Sequence, residues 1–434
     1  MFVRSYLLSI SLLIALLAFI VPGMSYGDDI GIPGSFNPLG SGARALGMGS
    51  AFIAVADDAT AASWNPGGLV QLEGNEISIV GAFLNVSEDP SFGSNECSSD
   101  SQSFNDADIN YLSQSYRFTL FKRNMVVSFN YQNLYDLNRE WSFYLTKKTT
   151  NGEIKTNYDY IQTGGLSSIG LAYSIEIIPS LSFGFTFNFW DDGLHPNNWS
   201  INRRLAIEGE FHGVSVNENR EYDTQYSFKG FNLNWGLLWH INKIFTFGAV
   251  VKTPFTANLD EIGTDENEIN FNNKKELDMP MSFGLGLALR FSDRFTFSAD
   301  IYRTNWQHFK MKNLNSGEEY FPLIDYSNYD DLNIDVDATN QIRMGCEYLF
   351  INKNKKYTIP LRGGIFYDPA PAPGSPDDYY GFSLGTGFAK GRFVFDMAIR
   401  FRFGDDVSSY TLQNYDFSLD TKEVNLYSSL IIHF

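Results

Sequence analysis

From about residue 75 to its last residue the chain alternates apolar with polar or small side chains at a period of two. That is the spacing of a strand with one greasy face. Leu181, Phe183, Phe185, Phe187 and Phe189 alternate with Ser182, Gly184, Thr186 and Asn188. Phe283, Leu285, Leu287, Leu289 and Phe291 alternate with Ser282, Gly284, Gly286, Ala288 and Arg290. Phe393, Phe395, Met397, Ile399, Phe401 and Phe403 repeat the pattern, with Asp396, Arg400 and Arg402 between them. In a soluble sandwich the greasy face turns inward under a second sheet. In an outer-membrane barrel it turns outward to lipid, and the polar face lines the lumen. Alternation alone leaves both open.

Gap lengths separate them. Strands are expected at 75–87, 111–121, 125–146, 162–177, 181–192, 223–241, 244–259, 277–291, 294–310, 336–350, 357–368, 379–389, 392–404 and 423–434. Short connections (Lys122–Asn124, Ile178–Ser180, Asn242–Lys243, Ser292–Asp293, Ile351–Lys356, Lys390–Gly391) alternate with long ones at 88–110, 147–161, 193–222, 260–276, 311–335, 369–378 and 405–422. An even strand count, with short turns at one rim and long loops at the other, is the layout of an outer-membrane barrel. The expectation is an all-β chain, a transmembrane antiparallel β-barrel of about 14 strands. Phe434 ends the last strand, on the face of Leu430 and Ile432. A terminal aromatic of this kind resembles the signal read by barrel-assembly machinery; a closing strand that happens to end in Phe is the plainer reading.

Composition agrees. Aromatic residues make up 16%, with 38 Phe and 24 Tyr, and they suit strands and membrane interfaces. The formal charge of −18 argues against nucleic acid as a partner, since phosphate binding needs a basic face. Cys97 and Cys346 are too far apart in sequence to suggest a disulfide framework or a metal cluster. At the N-terminus, Arg4 precedes an apolar run from Leu7 to Val21, and Ser25-Tyr26-Gly27 offers small residues for cleavage. Residues 1–27 therefore read as a secretory signal peptide. A retained anchor helix is the alternative, but the run is shorter than the ~20 residues that span a bilayer.

The segment "GARALGMGSAFIAVADDATAASWNPGGL", Gly42 to Leu69, resembles the start of mature proteins of the FadL/TodX (OMPP1) family of outer-membrane transporters. Three later stretches resemble it too: "FTFGAVVKTPFTANL", "MPMSFGLGLALRFSDRFTFSADIYRTNW" and "LRGGIFYDPAPAPGSPDDYYGFSLGTGF". Residues of about 88–230 carry no matching motif. The resemblance implies a barrel, 75–434, plugged by an N-terminal hatch, 28–74. It also implies passive passage of hydrophobic small molecules, long-chain fatty acids or hydrocarbons, with sideways release into outer-membrane lipid. Trp64, Asn65, Pro66, Gly67 and Leu69 form the hatch motif: Asn65 suits an Asx turn and Pro66 fixes the bend, while Trp64 and Leu69 wedge against the wall. The family usually has Ala after Asn-Pro, so Gly67 and Gly68 are expected to loosen the hatch exit. A cap with no gating role is the plainer alternative. The family's third strand is kinked; here Met125 to Thr146 holds no Gly or Pro, so sequence does not place a kink.

By strand parity Arg290, Asp300, Arg343, Glu347, Arg362, Asp396, Arg400 and Arg402 point into the lumen. They either pair and hold hatch and wall in register, or leave an Arg to receive a substrate carboxylate. Loops 88–110 and 311–335 are acidic, which suits a solvated surface; an acidic mouth would also repel fatty-acid anions more than neutral hydrocarbons. "DDLNIDVD", Asp330 to Asp337, lacks the Gly and final Glu of a calcium loop. His195, His212, His240, His308 and His433 are scattered, no G-x-S-x-G motif is present, and the glycine run Gly40–Gly49 follows no strand. The chain is thus expected to need no metal or cofactor and not to be an enzyme. A related barrel serving as a secretion or assembly partner is the alternative function.

Overall fold

The computed structural model describes residues 40–93, 97–150, 152–193, 195–264, 270–322, 336–409, 412 and 416–434. The leader at 1–27, the first part of the hatch at 28–39 and Asp330 to Asp335 lie outside the described residues. Fourteen antiparallel strands close on themselves, as the gap rhythm predicts. They are β1 (Glu76–Phe92), β2 (Gln102–Leu120), β3 (Arg123–Asp136, continuing as Arg139–Thr149), β4 (Gly152–Ile178) and β5 (Leu181–Asp191, continuing as Asn198–Phe211). Next come β6 (Val214–His240), β7 (Phe245–Lys252 and Phe255–Thr264), β8 (Asn270–Met279 and Ser282–Ser292) and β9 (Phe295–Thr304 and Lys310–Asn313). The circuit ends with β10 (Thr339–Asn352), β11 (Tyr357–Tyr367), β12 (Tyr380–Lys390), β13 (Phe393–Val407) and β14 (Phe417–His433). β1 pairs with β14 from Glu76↔His433 to Phe92↔Phe417, which seals the cylinder.

Several expected loops are strand instead. The stretch 193–222 is mostly the upper half of a hairpin whose tip is His212-Gly213, both at positive φ (50° and 75°), the backbone of a type I′ turn. The stretch 88–110 likewise belongs largely to β1 and β2. The cause is an inversion of the pattern. Low in β6, Phe231, Trp235 and Trp239 face out and Asn232 and Asn234 face in; higher up, Tyr226 and Phe228 are buried inside while Gln225 and Lys229 are exposed. The strand continues, but its greasy face changes sides.

β7 and β8 make the change with a break. Inward positions are Gly248 and Val250 below Thr253-Pro254 and Ala257 and Leu259 above it. Pro254 has no N–H for the ladder. In β8 the break is Pro280-Met281, between buried Met279 and buried Ser282. The upper barrel is filled by a cluster that includes Trp141, Phe143, Trp199, Tyr226, Phe228 and Trp306. Trp199 stacks on Tyr226 with ring centroids 4.6 Å apart. Full burial of side chains of this size stabilises by about 2–3 kcal/mol each.

The lower lumen holds the N-terminal segment. It contains α1 (Ala43–Gly47), α2 (Ala61–Trp64) and a 3-10 turn, Pro66–Gln71. Helices this short are not stable alone. From Gly40 to Leu72 every residue is buried or half-buried, so packing against the wall shapes the segment.

Candidate functional site

Small side chains let the inserted segment lie against the strands, and its backbone does much of the bonding. Ser182 Oγ donates to Gly67 O at 2.6 Å and Thr186 Oγ1 to Ala62 O at 3.0 Å. Ala43 N donates to Ser429 Oγ and Gly49 N to Ser383 Oγ. Asn65 forms the Asx turn, accepting from Gly67 N at 3.0 Å. Its amide also donates to Ile53 O and to the wall carbonyl of Leu237. Pro66 opens the 3-10 turn. Trp64 packs edge-on against Phe52 and donates to Ser41 O, and Leu69 is fully buried with Val126 and Ala172 of the wall nearby in the same cluster. Gly67 and Gly68 fit a tight seat rather than a loose one. A methyl on Gly67 would lie 2.8 Å from Gly236 O, and one on Gly236 would lie 2.7 Å from Pro66 Cδ.

The eight charged lumen candidates fall into separate groups. Arg362 donates to Glu347 and to Asp396, both at 2.6 Å. Arg44 of α1 extends this chain, bonding Glu347 at 2.9 Å on one side and Asp57 at 2.5 Å on the other. Burial pushes the neighbouring Asp58 carboxyl up, against the pull of Arg44. A second group lies higher. Arg402 bonds Glu423 at 2.6 Å and sits 3.2 Å from Asp368, Arg343 bonds Asp368 at 3.1 Å, and Arg400 is 3.6 Å from Glu423. Asp300 stands apart, its Oδ2 accepting from Phe52 N and Ile53 N at 2.7 and 2.9 Å. Arg290 is 59% exposed at the lower rim, 3.8 Å from Asp57, outside the buried groups. Parity within 357–368 and 423–434 also turns Asp368 and Glu423 inward, in step with Arg362 and opposite to Leu430 and Ile432, whereas it says nothing of Arg44, which lies outside the strands. Arg44 had one signal, as the lone base in residues 28–74.

Above the insert lies a cavity of about 40 Å³. Asn188, Asn232, Asn234 and Lys252 line it together with Trp190, Phe255 and Trp306. Trp190 Nε1 donates to Asn232 at 2.9 Å, and Lys252 Nζ lies 5.7 Å from the Tyr302 ring centre. Below the insert a chamber of about 280 Å³ is bordered by Arg44, Asp57, Glu76, Glu347 and His433. Among the described residues no cluster of His, Cys, Asp and Glu is placed to hold a metal ion.

The wall itself has a gap. β2 pairs with β3 only as far as Tyr111↔Gln132. There β3 carries an extra residue, Leu134, against β4, between Asn133↔Ser167 and Tyr135↔Leu166. It then breaks at Leu137-Asn138. Asp136 Oδ1 accepts from Asn138 N at 2.8 Å, so Asn and Asp side chains make the bend without Gly or Pro. The two edges meet again higher up, at Ser98↔Tyr144. Between these points a cavity of about 120 Å³ is lined by Asp106, Asp108, Asn110, Asn133, Asp136 and, deeper in, Arg400 and Glu423.

Residues 39–417 match a family model described as outer membrane protein transport protein (OMPP1/FadL/TodX). No curated protein matches the chain. Among solved structures, a Pseudomonas aeruginosa FadL homologue is similar over 92% of this chain and 100% of its own, with TM-score 0.60 and 12% identity. The Ralstonia pickettii toluene transporter TbuX gives TM-score 0.55 at 13% identity over 92% and 100%. The Pseudomonas putida toluene transporter TodX gives 0.53 at 13% over 92% and 99%. At such identities the structural likeness speaks for the fold alone.

Proposed function

The chain belongs to the outer membrane protein transport protein family, OMPP1/FadL/TodX, and on that premise we propose that it takes hydrophobic small molecules in at its extracellular mouth and releases them through its wall. The family assignment makes it an outer-membrane β-barrel transporter of hydrophobic compounds. The substrate, the route and the role of the insert are our reading. The observation that carries it is the stop of the backbone ladder between β2 and β3 above Tyr111↔Gln132, where side chains of Asn110, Asn133 and Asp108 bridge instead, beside an apolar upper lumen. Solutes pass down the aromatic lining to the cavity over Asn232, Asn234 and Lys252, then sideways into lipid. Movement is passive; each transfer follows the burial of apolar surface.

Residues 28–74 act as the hatch, with Trp64, Asn65, Pro66, Gly67 and Leu69 fixing its turn against the wall. Arg362, Glu347 and Asp396 hold it in register through Arg44. Each of Arg343, Arg362, Arg400 and Arg402 faces a carboxylate, which favours this structural part over capture of a substrate carboxylate. Residues 1–27 serve as the export leader. Phe434, 48% exposed and edge-on to Tyr116 at 6.0 Å, is offered to barrel-assembly machinery. A secretion or assembly partner has no need of an open wall or of the cavities, so those features weigh against that alternative.

The test is uptake by liposomes carrying the purified barrel. A neutral aromatic hydrocarbon is expected to enter faster than into barrel-free liposomes, and mass spectrometry of compounds that copurify in mild detergent is expected to show an apolar solute. Entry no faster than the bare bilayer allows would remove the reading.

A further inference from the structure

The rim of the wall gap carries acidic side chains from both edges. Asp106 and Asp108 come from β2 and Asp136 from β3, and all three line the cavity there. Among the described residues no Lys or Arg pairs with any of them. Asp108 bonds only neutral groups, the amide of Asn133 at 2.8 Å and the backbone N–H of Ile109 at 2.6 Å. Asp136 accepts the backbone N–H of Asn138. The single guanidinium on the lining, Arg400, lies deeper and is held by Glu423, itself a fourth carboxylate. The alternation of lumen and lipid faces does not require these acids. Serine or asparagine, common elsewhere on the inner face, would serve as well.

We infer that the gap is a charge filter: its carboxylates let neutral hydrophobic compounds pass into the bilayer and turn back carboxylate anions. The inference rests on the proposed wall route and names the solute class that route serves. Asp106, Asp108 and Asp136 line one cavity, so an anion passing through it comes closer to them than the screening length, about 8–10 Å in physiological salt. Low-dielectric walls on both sides focus that field. A neutral hydrocarbon has no charge to respond to it. An anion drawn towards Lys252 from above therefore meets an opposing field at the exit.

Two measurements test this, one of them independent of transport. In a C97S/C346S background, Phe104→Cys places a thiol on the rim. The cationic methanethiosulfonate MTSET is expected to label it at least about tenfold faster, relative to the anionic MTSES, than a free thiol in solution. Asp106→Asn and Asp108→Asn together, with Asp136 kept because it makes the bend, should lower that ratio at least about threefold. D106N alone should lower it part of the way, if the double variant does not fold. In liposomes, octane and octanoate form a matched neutral and anionic pair. The double variant should take up octanoate about five- to tenfold faster than the unaltered barrel, with octane unchanged. A free-thiol ratio in the unaltered rim, or equal changes for both solutes, overturns the filter. Uptake of neither solute by the unaltered barrel removes the wall route, and the filter with it, whatever the thiol ratio.

Discussion

At the scale of single residues, the lower lumen is a contact between two backbones, and glycine permits it. Gly67 of the inserted segment and Gly236 of β6 face each other closely enough that a Cβ on either would fall below 3.0 Å from a neighbouring atom. Over-filling such a contact costs about 1–3 kcal/mol. Gly67→Ala is therefore expected to loosen the insert. Its readout is tryptic cleavage after Arg44, which should accelerate by about tenfold for each 1.4 kcal/mol lost if opening and reclosing are fast. Gly74→Ala is the control: the nearest atom to its new methyl is 4.0 Å away, and cleavage should not change. Reading Gly67 as a loosening feature follows from intrinsic flexibility; the structure reverses it, because an absent side chain also allows closer approach. The charged residues teach a similar lesson. Parity identifies inward faces, but not which inward charges meet. Asp396 reaches Arg362 across two strand boundaries, while Arg290, on the same parity as Asp300, ends at the exposed rim.

At the scale of elements, strands were legible wherever lipid demanded an unbroken row of Phe, Leu and Ile on one face. Above that belt the demand reverses, and the same strands read as loops; 193–222 is the largest example. The bend in β3 was illegible for a different reason. Its signal is the spaced Asn133, Asp136 and Asn138, polar residues that bond their own backbone, within a run that otherwise alternates. The extra residue Leu134 shifts the inward set from Gln132 to Tyr135. Deleting Leu134 would restore simple alternation through Tyr135 and let β3 run on beside β2. The expected outcome is a folded barrel, still resistant to unfolding in detergent at room temperature, whose hydrocarbon uptake falls at least about tenfold towards that of bare bilayers. Undiminished uptake would mean that solutes leave by another way.

At the scale of the whole molecule, the cylinder carries its seal in its own lower half, and the seal is joined to the wall by many small bonds. Deleting Gly31 to Asn65 removes α1 and α2 whole, but none of the described strands. The barrel is expected to fold and to conduct ions steadily in planar bilayers, where the intact chain does not; equal conductance would show that the insert does not plug. The upper half has the opposite character, apolar within and polar without. β4 and β6 each run for 27 residues, about 90 Å of chain at ~3.3 Å per residue, whereas about 10 tilted residues cross the hydrocarbon. Most of those two strands therefore stands clear of the bilayer, around an interior packed with apolar side chains. A Gram-negative surface is coated with hydrated sugar chains through which oily molecules partition poorly; on the proposed route, an apolar tower that rises through that coat would let them bypass it.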